Sequence, residues 1–104
     1  MADAIKVLGQ LDVSATTTTT LYTVPDLTQT TVSSLVVCNR GGSGITFRVS
    51  VHVNGAGADD KQFIFYDEDL AATTTRTVVI GMCLGQKDVV KVYSSAANVS
   101  FNLF

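Results

Sequence analysis

The stretch Ile45-Thr-Phe-Arg-Val-Ser-Val-His-Val53 limits what this chain can fold into more than any other. Ile45, Phe47, Val49, Val51 and Val53 alternate with Thr46, Arg48, Ser50 and His52. In an extended chain successive side chains leave opposite faces, so strict alternation describes a strand with one dry and one wetter face. A helix would scatter the same residues around its circumference. The class that follows is all-β and antiparallel, with one core.

The remaining chain punctuates itself in the same way. Ala4 to Leu11 reads as a first strand with apolar residues on both faces. Five threonines, Thr16 to Thr20, favour extended backbone and feed a strand through Leu21-Tyr-Thr-Val24, closed by Pro25, which has no N–H for a ladder. Gln29 to Asn39 is the third strand. Asn39-Arg-Gly-Gly-Ser-Gly44 is then the turn of a hairpin joining it to the Ile45 strand. That glycine cluster lacks the G-x-x-x-x-G-K-[ST] pattern of a phosphate cradle and leads into a strand.

Asn54-Gly55 opens a surface loop reaching Lys61. In Gln62 to Tyr66, Phe63 and Phe65 face inward, with Ile64 and Tyr66 outward. Asp67-Glu-Asp69 reads as loop and Leu70-Ala-Ala72 as a single helical turn. Thr73 to Leu84 is a strand, with Val79, Gly81 and Cys83 on the face opposite Val78, Ile80, Met82 and Leu84. Val89 to Tyr93 and Ala97 to Phe104 form the last pair. Val37-Cys-Asn39, a small-residue turn and Ile45-Thr-Phe-Arg-Val49 match Val92-Tyr-Ser94, a turn and Val99-Ser-Phe-Asn-Leu103, which reads as two equivalent hairpins. Turn spacing predicts a two-sheet antiparallel β-sandwich, jelly-roll or Ig-like, of about seven or eight strands, with residues 1–104 as one domain and Phe47 and Phe101 in its core.

Chemistry is sparse. His52, the only histidine, falls on the polar face, a position for solvent or an interface. The carboxylates Asp59-Asp60 and Asp67-Glu68-Asp69 offer oxygen ligands of the kind Ca²⁺ takes. They lack EF-hand spacing and any apolar flank that would raise a pKa, and so read as solvated loops. Cys38 and Cys83 lie in apolar runs and read as two buried, reduced thiols; the even count leaves a disulfide open. No Cys-x-x-Cys occurs. No catalytic, cofactor-binding or metal-binding residue is assigned, and the chain reads as a non-enzyme.

Charged residues are 15% of the chain, against roughly 25% in a typical soluble domain. Thr, Ser, Ala and Gly take their place, and such a β surface suits coverage by neighbouring subunits. The seven basic residues are scattered singly, which leaves no footprint for nucleic acid. No apolar run approaches the length of a membrane span, and the N-terminus lacks signal-peptide character. Synthesis in the cytoplasm is the expectation.

Beyond this β grammar, the run Leu21-Tyr-Thr-Val-Pro25, Val32-Ser-Ser-Leu-Val-Val-Cys-Asn39 and Ile45-Thr-Phe-Arg-Val49 resembles the small β proteins of tailed bacteriophages. Phe65-Tyr-Asp67, Gly81-Met-Cys-Leu84, Asp88-Val-Val-Lys-Val-Tyr93 and Val99-Ser-Phe-Asn-Leu103 continue the pattern over nearly the whole chain. The resemblance implies a virion structural protein, of tail, fibre or capsid surface alike; we expect a tail- or fibre-associated one, with capsid decoration as the runner-up. The partners expected are copies of itself, as trimers or larger rings, and other virion proteins. The resemblance also leads us to expect a Gly and a few polar residues after Leu103-Phe104. A carbohydrate-binding sandwich module is the rival, with only Tyr22, Tyr66 and Tyr93 to stack on a sugar.

Overall fold

The computed structural model describes residues 7–104. Eight strands follow one another: β1 (Gly9–Val13), β2 (Thr19–Thr23), β3 (Thr30–Asn39), β4 (Ile45–His52), β5 (Phe63–Leu70), β6 (Thr75–Leu84), β7 (Val89–Ser94) and β8 (Val99–Leu103). They form two four-stranded sheets in the orders β1-β8-β3-β6 and β2-β7-β4-β5, and every ladder is antiparallel. This order is that of a jelly roll, a long hairpin rolled up so that its two arms alternate between sheets. The Ig-like alternative is set aside by it.

Several local expectations change. The expected first strand spans Ala4 to Leu11; residues 4–6 lie outside the described residues, and the strand observed runs on to Val13. Gly9 in it passes so close to β2 that a Cβ would sit 2.4 Å from the Leu21 carbonyl oxygen, so only glycine fits. The two expected hairpins are not hairpins. β3 and β4 lie in different sheets, as do β7 and β8, so each connection arches from one sheet to the other. A glycine-rich turn sets where the chain reverses, not which sheet receives it.

The matched motifs are nonetheless equivalent in space. Asn39 and Ser94, ending β3 and β7, are both buried and both bond the arch that follows. Asn39 Nδ2 donates to the carbonyls of Ser43 and Ala71, at 2.8 and 3.1 Å, and its Oδ1 accepts from Gly41 N at 3.0 Å. Ser94 Oγ donates to the Ala96 carbonyl at 2.8 Å. Each arch delivers a phenylalanine inward. Phe47 and Phe101 are fully buried and meet edge-to-face with centroids 6.2 Å apart, while Phe65 packs on Phe47 at 5.8 Å. Leu35, Val37, Val49, Val92, Val99 and Leu103 fill the space between the sheets.

Alternation in the organising strand holds from Ile45 to Val49 and then meets a change. β4 ends at His52, because Asn54 and Gly55 adopt left-handed backbone (φ 54° and 69°), and Val53 is left outside, exposed. The chain then folds back over the outer face of β4. Asp59 caps a 3-10 turn at Asp60–Gln62, with Gln62 Oε1 accepting from Asp59 N at 2.8 Å. Phe65 packs on the core and Ile64 and Tyr66 stay exposed, as expected, but Phe63 corrects the expectation: a register slip pairs it with Ser50 on the outer face, where its ring meets Tyr66 edge-to-face at 4.9 Å. β5 does not stop at Tyr66, however: it continues through the acidic run to Leu70, kinked by Asp67 at φ 50°. No helical turn forms at Leu70-Ala-Ala72.

Connections alternate between the two ends of the sandwich. One end carries the loops after β2, β4 and β6, tied together by Val24 N to the Asp88 carbonyl and Asn54 N to the Asp88 carboxylate. The opposite end carries those after β1, β3, β5 and β7, tied by Arg40 N to Asn98 O and Thr73 N to Gly41 O.

Candidate interaction surface

The ladders place outward side chains of the β1-β8-β3-β6 sheet in rows across its width. One row is Asp12, Ser100, Cys38 and Thr75; the next is Gln10, Asn102, Val36 and Thr77. Among these eight only Asp12 is charged, and Arg40 pairs with it at 2.6 Å. Val79, 82% exposed, continues the face along β6. The face is therefore four strands wide and almost free of charge. Small side chains of this kind lose little rotamer entropy when covered.

Cys83 lies exposed on β6 and Cys38 half-buried on β3, which corrects the expectation of two buried thiols. Both are free. Cys38 pairs with Thr75 and Cys83 with Thr31, so the two stand seven residues apart along one ladder, roughly 20 Å. A disulfide needs Cα atoms within about 7 Å, and the geometry excludes one within the chain.

The other sheet presents a different surface. Arg48 is clasped by Asp67, with Nε to Oδ1 at 2.6 Å and Nη2 to Oδ2 at 3.3 Å. Its guanidinium also lies 4.3 Å from the Tyr66 ring centroid and 4.5 Å from that of Tyr93. The bonds to Asp67 hold Arg48 above its ordinary pKa against a small opposing loss of hydration, with the Asp67 charge and the two tyrosines adding to the rise. Glu68 pairs with Arg76 of β6, an ion pair between sheets that closes the β5–β6 side. Two members of the acidic run thus go to separate partners. Among the described residues no three His, Cys, Asp or Glu side chains gather as metal ligands would.

His52 is buried, not solvated, and sequence reasoning missed this because its cover comes from residues 53–62. Its Nδ1 lies 2.8 Å from the Ala56 carbonyl, which only accepts, so Nδ1 carries the hydrogen and Nε2 accepts from Ser50 Oγ at 2.9 Å. A serine, an imidazole and an orienting carbonyl in sequence have the outline of an activated nucleophile. Here Ser50 and His52 are 4% and 3% exposed, so no substrate reaches the pair. It fastens the loop to the sheet.

At the end opposite that loop, an open cleft of about 340 Å³ lies between Gly44, Ile45, Thr46, Asp69, Leu70, Ala71 and Ser95. Fold and surface together define a jelly-roll sandwich with an uncharged face. No family model, curated protein or solved structure matches the chain.

Proposed function

We propose that this chain is a non-enzymatic structural component of a tailed-phage virion, on the tail, baseplate or fibre-bearing end, acting through protein–protein packing. The observation that carries the reading is the uncharged face of the β1-β8-β3-β6 sheet, whose two rows of four contain a single paired carboxylate. Depletion of charge marks surfaces that neighbours cover, and small Thr, Ser and Val side chains let two sheets approach closely. The phage resemblance gives that packing its setting. Jelly rolls serve in viral coats and in lectins alike, so the fold by itself favours neither. In this reading the face seats on other virion proteins and the chain also contacts copies of itself.

The test is quantitative mass spectrometry of particles assembled from the genome that encodes the chain, with heads and tails separated. Recovery with tails at fixed stoichiometry is the expected result. Recovery with heads would establish capsid decoration instead, and absence from particles would overturn both.

A second reading, a carbohydrate-binding module, draws on the Tyr66–Arg48–Tyr93 stack, since Tyr66 is 58% exposed on a rigid support. Glycan-array binding abolished by Tyr66→Ala would favour it over packing.

A further inference from the structure

Leu27 has no account within the monomer. It sits in the turn between β2 and β3, 88% exposed, in left-handed backbone at φ 57°. That conformation crowds the Cβ of any residue but glycine, and a leucine offers no polar atom in return. Thr16 and Thr73 share the conformation, but their hydroxyls bond the preceding carbonyls at 2.7 Å. Leu27 is instead held in place from outside: its N–H donates to Gln86 Oε1 at 2.8 Å, and Asp26 beside it approaches Lys87 at 4.0 Å. The turn is braced so that an apolar side chain projects from the end of the sandwich. Strain kept at an exposed position points to a contact made elsewhere.

The matching recess is at the other end of the same molecule. The open cleft of about 340 Å³ is lined by buried Ile45 and Leu70 and by the small residues Gly44, Ala71 and Ser95. Its lining is more apolar than polar, which suits an apolar side chain. Charge agrees as well. Asp69 lines the cleft and makes no ion pair among the described residues, while Lys87 flanks Leu27 and is held only loosely, 4.0 Å from Asp26.

We infer that Leu27 of one copy enters the Gly44–Leu70–Ala71 cleft of the next, with Lys87 set against Asp69, so that copies join head to tail. This rests on the proposed packing function and adds to it which surfaces the copies use. Knob and hole are different patches at opposite ends, so the contact is heterologous. Repeated, it closes into a ring or runs on as a filament.

Light scattering coupled to size-exclusion chromatography at micromolar concentration tests the arrangement with three variants. Wild type should run as oligomers, and Leu27→Asp and Ala71→Arg should each run as monomers. Mixed in equal amounts, those two should give a one-to-one dimer and nothing larger, because each retains the half that the other lacks. Leu27→Gly should also be monomeric yet melt at a higher temperature than the equally monomeric Leu27→Asp, which separates the contact from the fold. Wild-type oligomers unchanged in either point variant, or a mixture that stays monomeric, would overturn the head-to-tail contact and leave the packing function standing. A monomeric wild type would overturn the contact and self-association with it; presence in particles is read separately by the mass spectrometry above.

Discussion

Phe47 and Phe101 are the residues on which the two arches converge, and each is buried completely against the other. Removing either ring leaves a hole that neighbours from two separate sheets cannot close. Phe47→Ala is therefore expected to cost about 3–5 kcal/mol, read from urea unfolding with an unchanged m-value. Phe101→Ala should match it within about 1 kcal/mol, because the two positions are equivalent. Thiol chemistry offers a second check at this scale. In the native protein Cys83 should label rapidly and half-buried Cys38 more slowly, and equal rates would show that the outer face of β6 is covered. Arg48 offers no comparable handle. Its pKa is raised, so its share of stability is present below the unfolded value and lost only as pH climbs through the folded one. Both values are far above ordinary working pH, and Arg48 contributes no pH dependence there.

Among the elements, β5 and β6 are the edge strands of their sheets, and both are kinked in left-handed conformation, at Asp67 and at Gly81 with φ 62°. The β3–β6 register slips at the second of these, so β6 carries a bulge. Bulged edges resist pairing with strands of other molecules. A Cβ at Gly81 would meet nothing within 4 Å, so the cost of Gly81→Ala is purely conformational. It should amount to about 1 kcal/mol in chemical denaturation. Elements of this kind differ in how plainly the sequence announces them. Alternation at Ile45–Val49 reports directly on burial, since each face of that strand has one environment, whereas at Phe63 the register slip opposite Ser50 breaks the alternation that the sequence suggests. The partner of each strand is another matter. Asn39 to Gly44 looks like a hairpin turn because turn chemistry is local, whereas the choice between pairing and arching depends on β6 and β8, contributed much later in the chain. His52 reads as exposed for the same reason: the loop over it is held by Gln62, ten residues on. The uncharged face was legible only as an overall shortage of charge, because its rows exist only once β1, β8, β3 and β6 are aligned.

For the whole molecule, the six ladders among the described residues all join the first four strands to the last four, and five of them join distant segments: β1 with β8, β2 with β7, β3 with β6, β3 with β8 and β4 with β7. Only β4 and β5 are neighbours in sequence. Closing such long loops precedes any reward from the ladders, so refolding should fall in the range of milliseconds to seconds. Stopped-flow fluorescence complete in microseconds would contradict the rolled topology.

The alternation of connections between two ends has a mechanical side. A pull applied between Gly9 and Leu103, partners at one end of the β1–β8 ladder, would peel that ladder open one pair of bonds at a time. A pull applied between the Leu27 turn and the Ala71 turn runs along the strands instead, at right angles to the hydrogen bonds. It must slide whole ladders past one another, breaking many bonds together. Optical-trap measurements should accordingly find the molecule weak in the first geometry and several-fold stronger in the second. Joined through those two turns, copies would carry tension along the direction in which this fold yields least.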